Sequence, residues 1–349
     1  RFYSFSILII LRNFILKSLF FTLPFLFSYF LYVVNFGDVM PNDLKRVGNL
    51  KIDYDFFETR NNLEFDSICY DFLSPKKKYN ILNIGDSFSR QELSKVNGYV
   101  NYLSKKYILF NMPFSDNPVN RLKELIRNNY LDTLGVKHII LQSSQRVIIP
   151  RLLNDHIDTQ ITNFKRLAFL DSLKHQYLLK GIEESKYPVG FFSRTSLFYG
   201  LNYLIKKDIN KKVLRFKTRN KLFSFNKKEL LVSNEDIYAL KYHNSSKIQD
   251  ANNELNKIAL QLKTKNIRLF VLIIPDKYDF YFDNILNSPF GSPNFYNVLD
   301  SLPKDYIYIN SKEILNNCPN KDLYFFDDTH WSPIASKVVA EKIENLIKN

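Results

Sequence analysis

Cysteine is nearly absent from this chain. Cys69 and Cys318 are the only two, and they form neither a Cys-x-x-Cys pair nor a zinc-type spacing. A structural metal site is thereby disfavoured, and a single Cys69–Cys318 disulfide is the one cross-link open to the chain. Glycine is scarce as well, nine residues in 349, and there is no internal repeat or low-complexity tract, so collagen-like and coiled-coil architectures are excluded. Beyond about residue 45 no apolar run is long enough to cross a bilayer, which rules out a multi-span membrane protein. What is present lies near the globular average, 45% hydrophobic and 24% charged, in a length that suits one large domain or two ordinary ones. The abundance of Phe, Tyr, Lys, Asn and Ile fits a genome-level codon bias as well as any structural demand.

Acidic residues are in the minority. The 49 Lys and Arg against 35 Asp and Glu leave a formal charge of +14. Such a balance suits nucleic acid, an anionic membrane surface or an acidic polymer without choosing among them. The densest basic stretch is Lys206–Lys228, where Asp208 is the only acid. It lacks the interleaved stacking pattern of single-strand binders, so a solvated surface of helix and loop is the expectation, and no nucleic-acid partner is indicated.

The one long apolar run lies near the N-terminus. Residues 18–36 (SLFFTLPFLFSYFLYVVNF) carry no charge, and at about 1.5 Å per residue they nearly span a hydrocarbon core of about 30 Å. The apolar stretch from Phe5 to Leu16 precedes it, interrupted by Arg12 and followed by Lys17, so the span is free to begin earlier and tilt. Arg1, Arg12 and Lys17 precede the run, whereas Asp38 and Asp43 follow it beside Lys45 and Arg46. The excess of cations before the span favours a cytoplasmic N-terminus and an exported body. A cleaved signal peptide is the competing reading, but the run is longer than a usual signal core and no Ala-x-Ala-like site follows. Because the chain begins with Arg1 instead of Met, its natural N-terminus is expected upstream. The expected organisation is an anchor over residues 1–40 and an exported domain over 41–349.

In the exported part, Tyr79–Ile84, Lys106–Asn111, Val136–Leu141, Ile267–Ile274 and Tyr306–Ile309 read as short buried strands. Helical patterns lie between them. Asn117 and Pro118 form an N-cap and first-position pair ahead of Leu122, Leu125, Ile126 and Tyr130. Ile248, Ala251, Leu255, Ile258, Ala259 and Leu262 share a stripe, as do Ala335, Val338, Val339, Ile343 and Leu346. Strands alternating with helices predict an α/β fold with a doubly wound parallel sheet, whose sites lie outside the carboxyl ends of the strands. Residues 150–245 break the alternation and are expected to form a helical insertion.

Two segments carry chemistry. Gly85-Asp86-Ser87-Phe88-Ser89 follows the first of these strands, where a serine hydroxyl is lifted out of the sheet near helix amides able to stabilise an oxyanion. Alone this is weak, since a small turn and an N-capping serine make a common strand-to-helix connection. Phe325-Phe326-Asp327-Asp328-Thr329-His330-Trp331-Ser332-Pro333, before the terminal helix, adds what a serine nucleophile requires: a histidine base and a carboxylate to fix its tautomer. The remaining histidines are poorer candidates: His138 lies inside a strand, and His156, His175 and His243 lie in or beside the insertion.

Together these blocks resemble the SGNH (GDSL-like) hydrolase superfamily, and more narrowly its alginate O-acetyltransferase-like branch. Val271–Tyr281 (VLIIPDKYDFY) and Ile139–Val147 (IILQSSQRV) are further similar segments. The resemblance implies a three-layer flavodoxin-like SGNH fold with a parallel sheet, preceded by the transmembrane helix. It implies that Ser87 is the nucleophile and His330 the general base. The superfamily's Asp-x-x-His spacing selects Asp327 as the orienting acid, and the branch's Asp-x-His spacing selects Asp328, which the His-Trp continuation favours. The serine block precedes the histidine block, the order of ordinary SGNH hydrolases and the reverse of the alginate enzymes. The Ser87 amide is one expected oxyanion donor; Gly98, Gln142 and Ser144 are candidates for others, and Arg146 and Lys277 for holding an anionic substrate or for ion pairing.

The implied activity is O-acetyl transfer to a cell-surface or exported polysaccharide through an acyl-serine, without cofactor or metal. An acetyl donor, a polysaccharide acceptor and a membrane O-acyltransferase are the implied partners, at an inner membrane with the domain on its periplasmic side. An SGNH-type carbohydrate esterase and a non-catalytic polysaccharide-binding assembly component are the alternatives.

Overall fold

A computed structural model of the chain describes residues 2–36, 68–69, 79–94, 97–112, 117–153, 213–224 and 228–348. The chain divides into two compact units, one holding the N-terminal helix and the other the α/β domain. Helix α1 runs over Phe2–Phe36, and within it Leu11–Leu31 is long and apolar enough to cross a membrane. Phe14, Ile15 and Leu16, then Phe25, Leu26 and Phe27, are exposed in succession, so apolar groups occupy every face. A helix of a soluble domain would instead confine them to one stripe. A signal sequence shares this length and composition.

The domain is built on a six-stranded parallel sheet of β1 (Ile68–Cys69), β2 (Ile81–Ile84), β3 (Leu109–Asn111), β4 (His138–Ser144), β7 (Arg268–Ile274) and β8 (Ile307–Asn310). A separate antiparallel ribbon pairs β5 (Val213–Lys217) with β6 (Glu229–Ser233). Across the sheet the order is β1-β3-β2-β4-β7-β8. Setting aside the two-residue edge strand β1, this is the 2-1-3-4-5 order of flavodoxin-like folds, with its switch point between β2 and β4. The five strands expected from apolar runs are those observed, within a few residues at each end. Their residues are apolar because helices cover both sheet faces, leaving no polar side to alternate with.

The helices are α2 (Tyr99–Ser104), α3 (Pro118–Arg127), α4 (Tyr130–Leu134), α5 (Gln145–Leu153), α6 (Asn234–Ala239), α7 (Ser245–Lys263), α8 (Lys277–Phe280), α9 (Phe295–Ser301), α10 (Ser311–Asn316) and α11 (Pro333–Lys348). One face of the sheet, with Leu82, Ile84, Ile139, Leu141, Leu269, Val271 and Ile273, packs under α3, α5, α7 and α9. Alternation sends Ile81, Ile140, Phe270 and Leu272 to the other face, the side of α2, α10 and α11. Asn117 caps α3 as expected, its side-chain oxygen accepting from the amides of Val119 and Asn120 at 3.0 and 3.2 Å, with Pro118 in the first turn.

Of the helical insertion expected over residues 150–245, the described residues correct one part: the end of α5 and α6 are helical, but the ribbon between them is not. Residues 154–212, with His156 and His175, lie outside the described residues, but 213–233 contain the β5–β6 ribbon, not helix. Phe216 and Thr218 are buried while Lys217 and Arg219 are exposed, a period of two that suits a strand. Charge density had obscured this alternation. The buried face carries Phe216 against Tyr278 and Phe290, and beyond the strand Phe223 packs on Tyr281 and Phe326. Cys318 is a free thiol in the structure, and the side chain of Cys69, the partner expected for it, lies outside the described residues.

Candidate active site

Ser87 lies at the end of β2, beside the switch point, and opens a short 3-10 segment, Ser87–Ser94, that is kinked at Arg90. Its turn is held from two sides. On the β4 side, the Asp86 carboxylate accepts from Gln142 Nε2 at 2.8 Å, from the Ser144 amide at 2.9 Å and from Arg151 at 2.8 Å. The Asp86 amide in turn donates to Gln142 Oε1 at 2.9 Å. Burial alone would raise the Asp86 carboxyl; the Arg151 guanidinium and these hydrogen bonds outweigh it and hold the group below the usual carboxylate range. On the β3 side, Asn83 donates to Asn111 at 2.7 Å, Tyr99 donates to Asn83 at 2.7 Å, and Asn111 donates to the Ser89 carbonyl at 2.9 Å. Gly85 permits this close approach: a Cβ there would sit 2.8 Å from Ser89 Oγ and nearer still to Gln142 Oε1.

The histidine arrives from the opposite edge of the sheet. After β8 and α10 the chain crosses the carboxyl ends of the strands and closes a tight loop. Tyr324 bridges Trp331, the Phe325 amide donates to the His330 carbonyl at 3.1 Å, and the Ser332 amide donates to Leu323 at 2.8 Å. Two anchors fix that loop to the end of β7. The Tyr324 hydroxyl donates to the Pro275 carbonyl at 2.6 Å, and buried Lys277 Nζ donates to the carbonyls of Phe325, Phe326 and Asp328 at 2.8, 2.9 and 3.1 Å.

These two segments bring three predicted residues together. His330 Nε2 lies 2.7 Å from Ser87 Oγ, and His330 Nδ1 lies 2.6 Å from Asp328 Oδ1. The same Asp328 oxygen accepts the His330 backbone amide at 3.0 Å, an Asx-type turn that orients the carboxylate two residues before the ring it serves. Because a carboxylate only accepts, Nδ1 carries the proton and Nε2 is left to accept from the serine hydroxyl. The His330 side chain remains 23% exposed and Ser87 is half-buried, so the serine end of the array is not sealed from solvent. Asp327, the alternative acid, is buried, and its neighbour Asp328 holds the contact to Nδ1.

The other predicted residues take different places. Gln142 and Ser144 both bond Asp86, through the Gln142 amide and through the Ser144 amide and hydroxyl, and both are buried, so in this structure they hold the serine turn. The Gly98 amide donates to Asn101 Oδ1 at 2.9 Å within the cap of α2 and is likewise committed. Arg146 pairs with Asp236 at 3.1 Å and lies 3.6 Å from Asp276, the structural ion pair that was its alternative. Burial raises both of those carboxyls, Asp276 well above its usual value because the Asp236 charge adds to the effect. Lys277 holds the histidine loop and offers no free ammonium to a substrate. Burial lowers the affinity of His138 and His243 for a proton, and neither lies in the array. Arg151 escaped sequence reading entirely: it lies on α5, far along the chain from the turn it holds, with no motif around it. The described residues contain no group of acidic, histidine and cysteine side chains arranged to hold a metal ion.

Comparison with known proteins agrees with the geometry in one region. Residues 230–349 match the family model described as an SGNH hydrolase-like domain of the acetyltransferase AlgX. The match supports the resemblance read from the sequence, an SGNH hydrolase-like domain of the alginate O-acetyltransferase-like branch. It includes Lys277, Asp327, Asp328 and His330, whereas Ser87 lies outside it. Neither a curated protein nor a solved structure gives a significant match.

Proposed function

We propose that the protein is a serine-dependent O-acetyltransferase, anchored in a membrane by α1 and acting on an exported or cell-surface polysaccharide. The observation that carries this reading is the Ser87–His330–Asp328 array, with its 2.7 and 2.6 Å contacts, assembled around an SGNH hydrolase-like domain. In the proposed reaction Ser87 Oγ attacks the carbonyl carbon of an acetyl ester while His330 Nε2 takes the hydroxyl proton, and Asp328 stabilises the imidazolium. The amides of Asp86, Phe88 and Ser89 are engaged at the turn by Gln142, by the Asp86 carboxylate and by the Asp86 carbonyl. The Ser87 amide is therefore the turn's donor for the developing oxyanion. His330 then returns its proton to the leaving oxygen, giving acetyl-Ser87 and the free alcohol.

A sugar hydroxyl, deprotonated by the same imidazole, attacks acetyl-Ser87 in transfer; water does so in hydrolysis. Both share every step up to the acyl-enzyme. The family match to an acetyltransferase domain favours transfer, and the family resemblance implies, as its partner, a membrane O-acyltransferase that brings acetyl groups across the bilayer. The excess of Lys and Arg before the apolar run supports a body outside the cytoplasm, and in this reading the anchor sits in an inner membrane with the domain on its periplasmic side.

The test uses the full chain in detergent, an activated acetyl ester and a panel of neutral and uronate-containing oligosaccharides, followed by mass spectrometry. Acetylated oligosaccharide that is absent with Ser87→Ala supports transfer. Free acetate alone, still dependent on Ser87, would replace transferase with esterase. Binding of an oligosaccharide without any Ser87-dependent release of acetate would favour a non-catalytic role.

A further inference from the structure

We propose that Gln91 is a positioning residue for His330, clamping the serine turn to the histidine loop through both ends of its side-chain amide. The inference rests on the acyl-serine reading above and adds to it the device that keeps two distant chain segments in register. Gln91 is buried on the 3-10 segment opened by Ser87, and Trp331 follows His330 directly. Gln91 Nε2 donates to the Trp331 carbonyl at 2.6 Å, while Gln91 Oε1 accepts from Trp331 Nε1 at 2.9 Å and from Ser336 Oγ at 2.9 Å.

The orientation of the amide is dictated by chemistry. An indole N–H only donates and a peptide carbonyl only accepts, so the oxygen must face the ring and the nitrogen the carbonyl. One side chain thus holds both the backbone and the ring of the residue next to the base. Phe88, on the same segment, completes the grip, with its ring 4.5 Å from the His330 ring and edge-on to Trp331 at 5.5 Å. Every polar atom of this clamp is spent on holding the Trp331 residue and the first turn of α11. The Gln91 side chain is buried, so it does not face a substrate. Its effect on chemistry therefore passes through the place of the imidazole, where an error of about 1 Å is enough to cost about 100-fold in rate.

The experiment uses the full chain in detergent with ring-labelled histidine. Two quantities are measured: the NMR signal of the His330 Nδ1 proton, assigned by its loss in His330→Ala, and the single-turnover rate of acetylation by an activated acetyl ester. Gln91→Met removes both ends of the clamp at similar size. It should broaden or erase the Nδ1 signal and slow acetylation by about 10- to 100-fold, with the donor KM changed by less than about twofold. Trp331→Phe keeps the amide and removes one bond, so it carries the test if Gln91→Met does not fold; it should weaken the signal and slow acetylation by about 3- to 10-fold. Tyr306→Phe is the control for plain destabilisation, since it deletes a buried bond to Asn252 at the opposite end of β8. A sharp Nδ1 signal and unchanged acetylation in both Gln91→Met and Trp331→Phe, or losses no greater than in Tyr306→Phe, would overturn the proposal. A wild-type signal that depends on Gln91 in a protein that takes up no acetyl group would support the clamp and count against the acyl-serine reading.

Discussion

The serine-bearing region, residues 79–153, places its hydroxyl by fastening a turn to the sheet, whereas the histidine-bearing region, residues 230–348, builds its imidazole–carboxylate pair inside a loop that crosses the sheet. In the first region the decisive contacts come from other strands: Gln142 and Ser144 on β4, Asn111 on β3 and Arg151 on α5 all converge on the turn. In the second, Asp328 and His330 are two residues apart and oriented by their own backbone, and Lys277 ties down the carbonyls around them. A motif with its contacts encoded locally is recognisable from a short stretch of sequence, and the family match falls on this region alone. A turn whose geometry depends on residues scattered over three elements leaves only Gly-Asp-Ser as its trace.

The sharpest way to break the comparison is to remove one partner from each region. Ser87→Ala and His330→Ala should each lower acyl transfer by about 10⁴-fold or more, and the double variant should be no worse than either, because the two act as a unit. Steady-state and single-turnover rates check this; additive losses would mean that the regions act separately. Next in size is the choice of acid. Asp328→Asn should cost about 10³- to 10⁴-fold in kcat by spoiling the histidine tautomer, and Asp327→Asn less than about tenfold. The reverse ranking would move the pair to the other spacing.

Stability separates the regions further. Lys277→Met leaves three carbonyls of the histidine loop without their shared donor and should cost about 2 to 4 kcal/mol in a denaturant titration, with activity falling alongside. Gly85→Ala forces a Cβ against Gln142 and Ser89 and should cost about 1 to 3 kcal/mol, with its activity loss confined to the serine side.

The smallest expected effect is in the acid limb of stability. The Asp86 carboxyl is held below its ordinary value of 3.8 in the fold, so the unfolded chain binds this proton more tightly. Its stabilisation is therefore complete above the unfolded value and is lost as pH falls through the folded one. Asp86→Asn, although less stable at neutral pH because Arg151 loses its partner, should lose less melting temperature than wild type between about pH 5 and pH 3. An unchanged slope would show that Asp86 is not held as described.

Much of the architecture was legible in the sequence because it rests on apolar runs. The five strands β2, β3, β4, β7 and β8 are bounded as their hydrophobic stretches predict, and the stripes of α7 and α11 mark their buried faces. The ribbon at 213–233 was not legible, since Lys and Arg on its exposed face swamp a two-residue alternation that only Phe216 and Thr218 reveal. At the site, residue types and local spacing pointed to Ser87, His330 and the adjacent Asp327 and Asp328, and the family resemblance favoured Asp328, the one that touches the histidine. Gln142, Ser144, Gly98, Arg146 and Lys277 were candidates by type and by position along the chain, and neither can say that a buried amide, guanidinium or ammonium already bonds Asp86, Asn101, Asp236 or a peptide carbonyl. Arg151 and Gln91 matter through partners far away in sequence, which no local pattern records.

The most direct test of the central claim is acyl-enzyme trapping. The full chain is mixed with an activated acetyl ester, quenched in acid at short times and digested, and the site of acetylation is located by mass spectrometry. Acetyl on Ser87, absent in Ser87→Ala and formed far more slowly in His330→Ala, is the predicted result. Acetyl uptake on another residue that survives both substitutions, or no uptake with any ester offered, would contradict it.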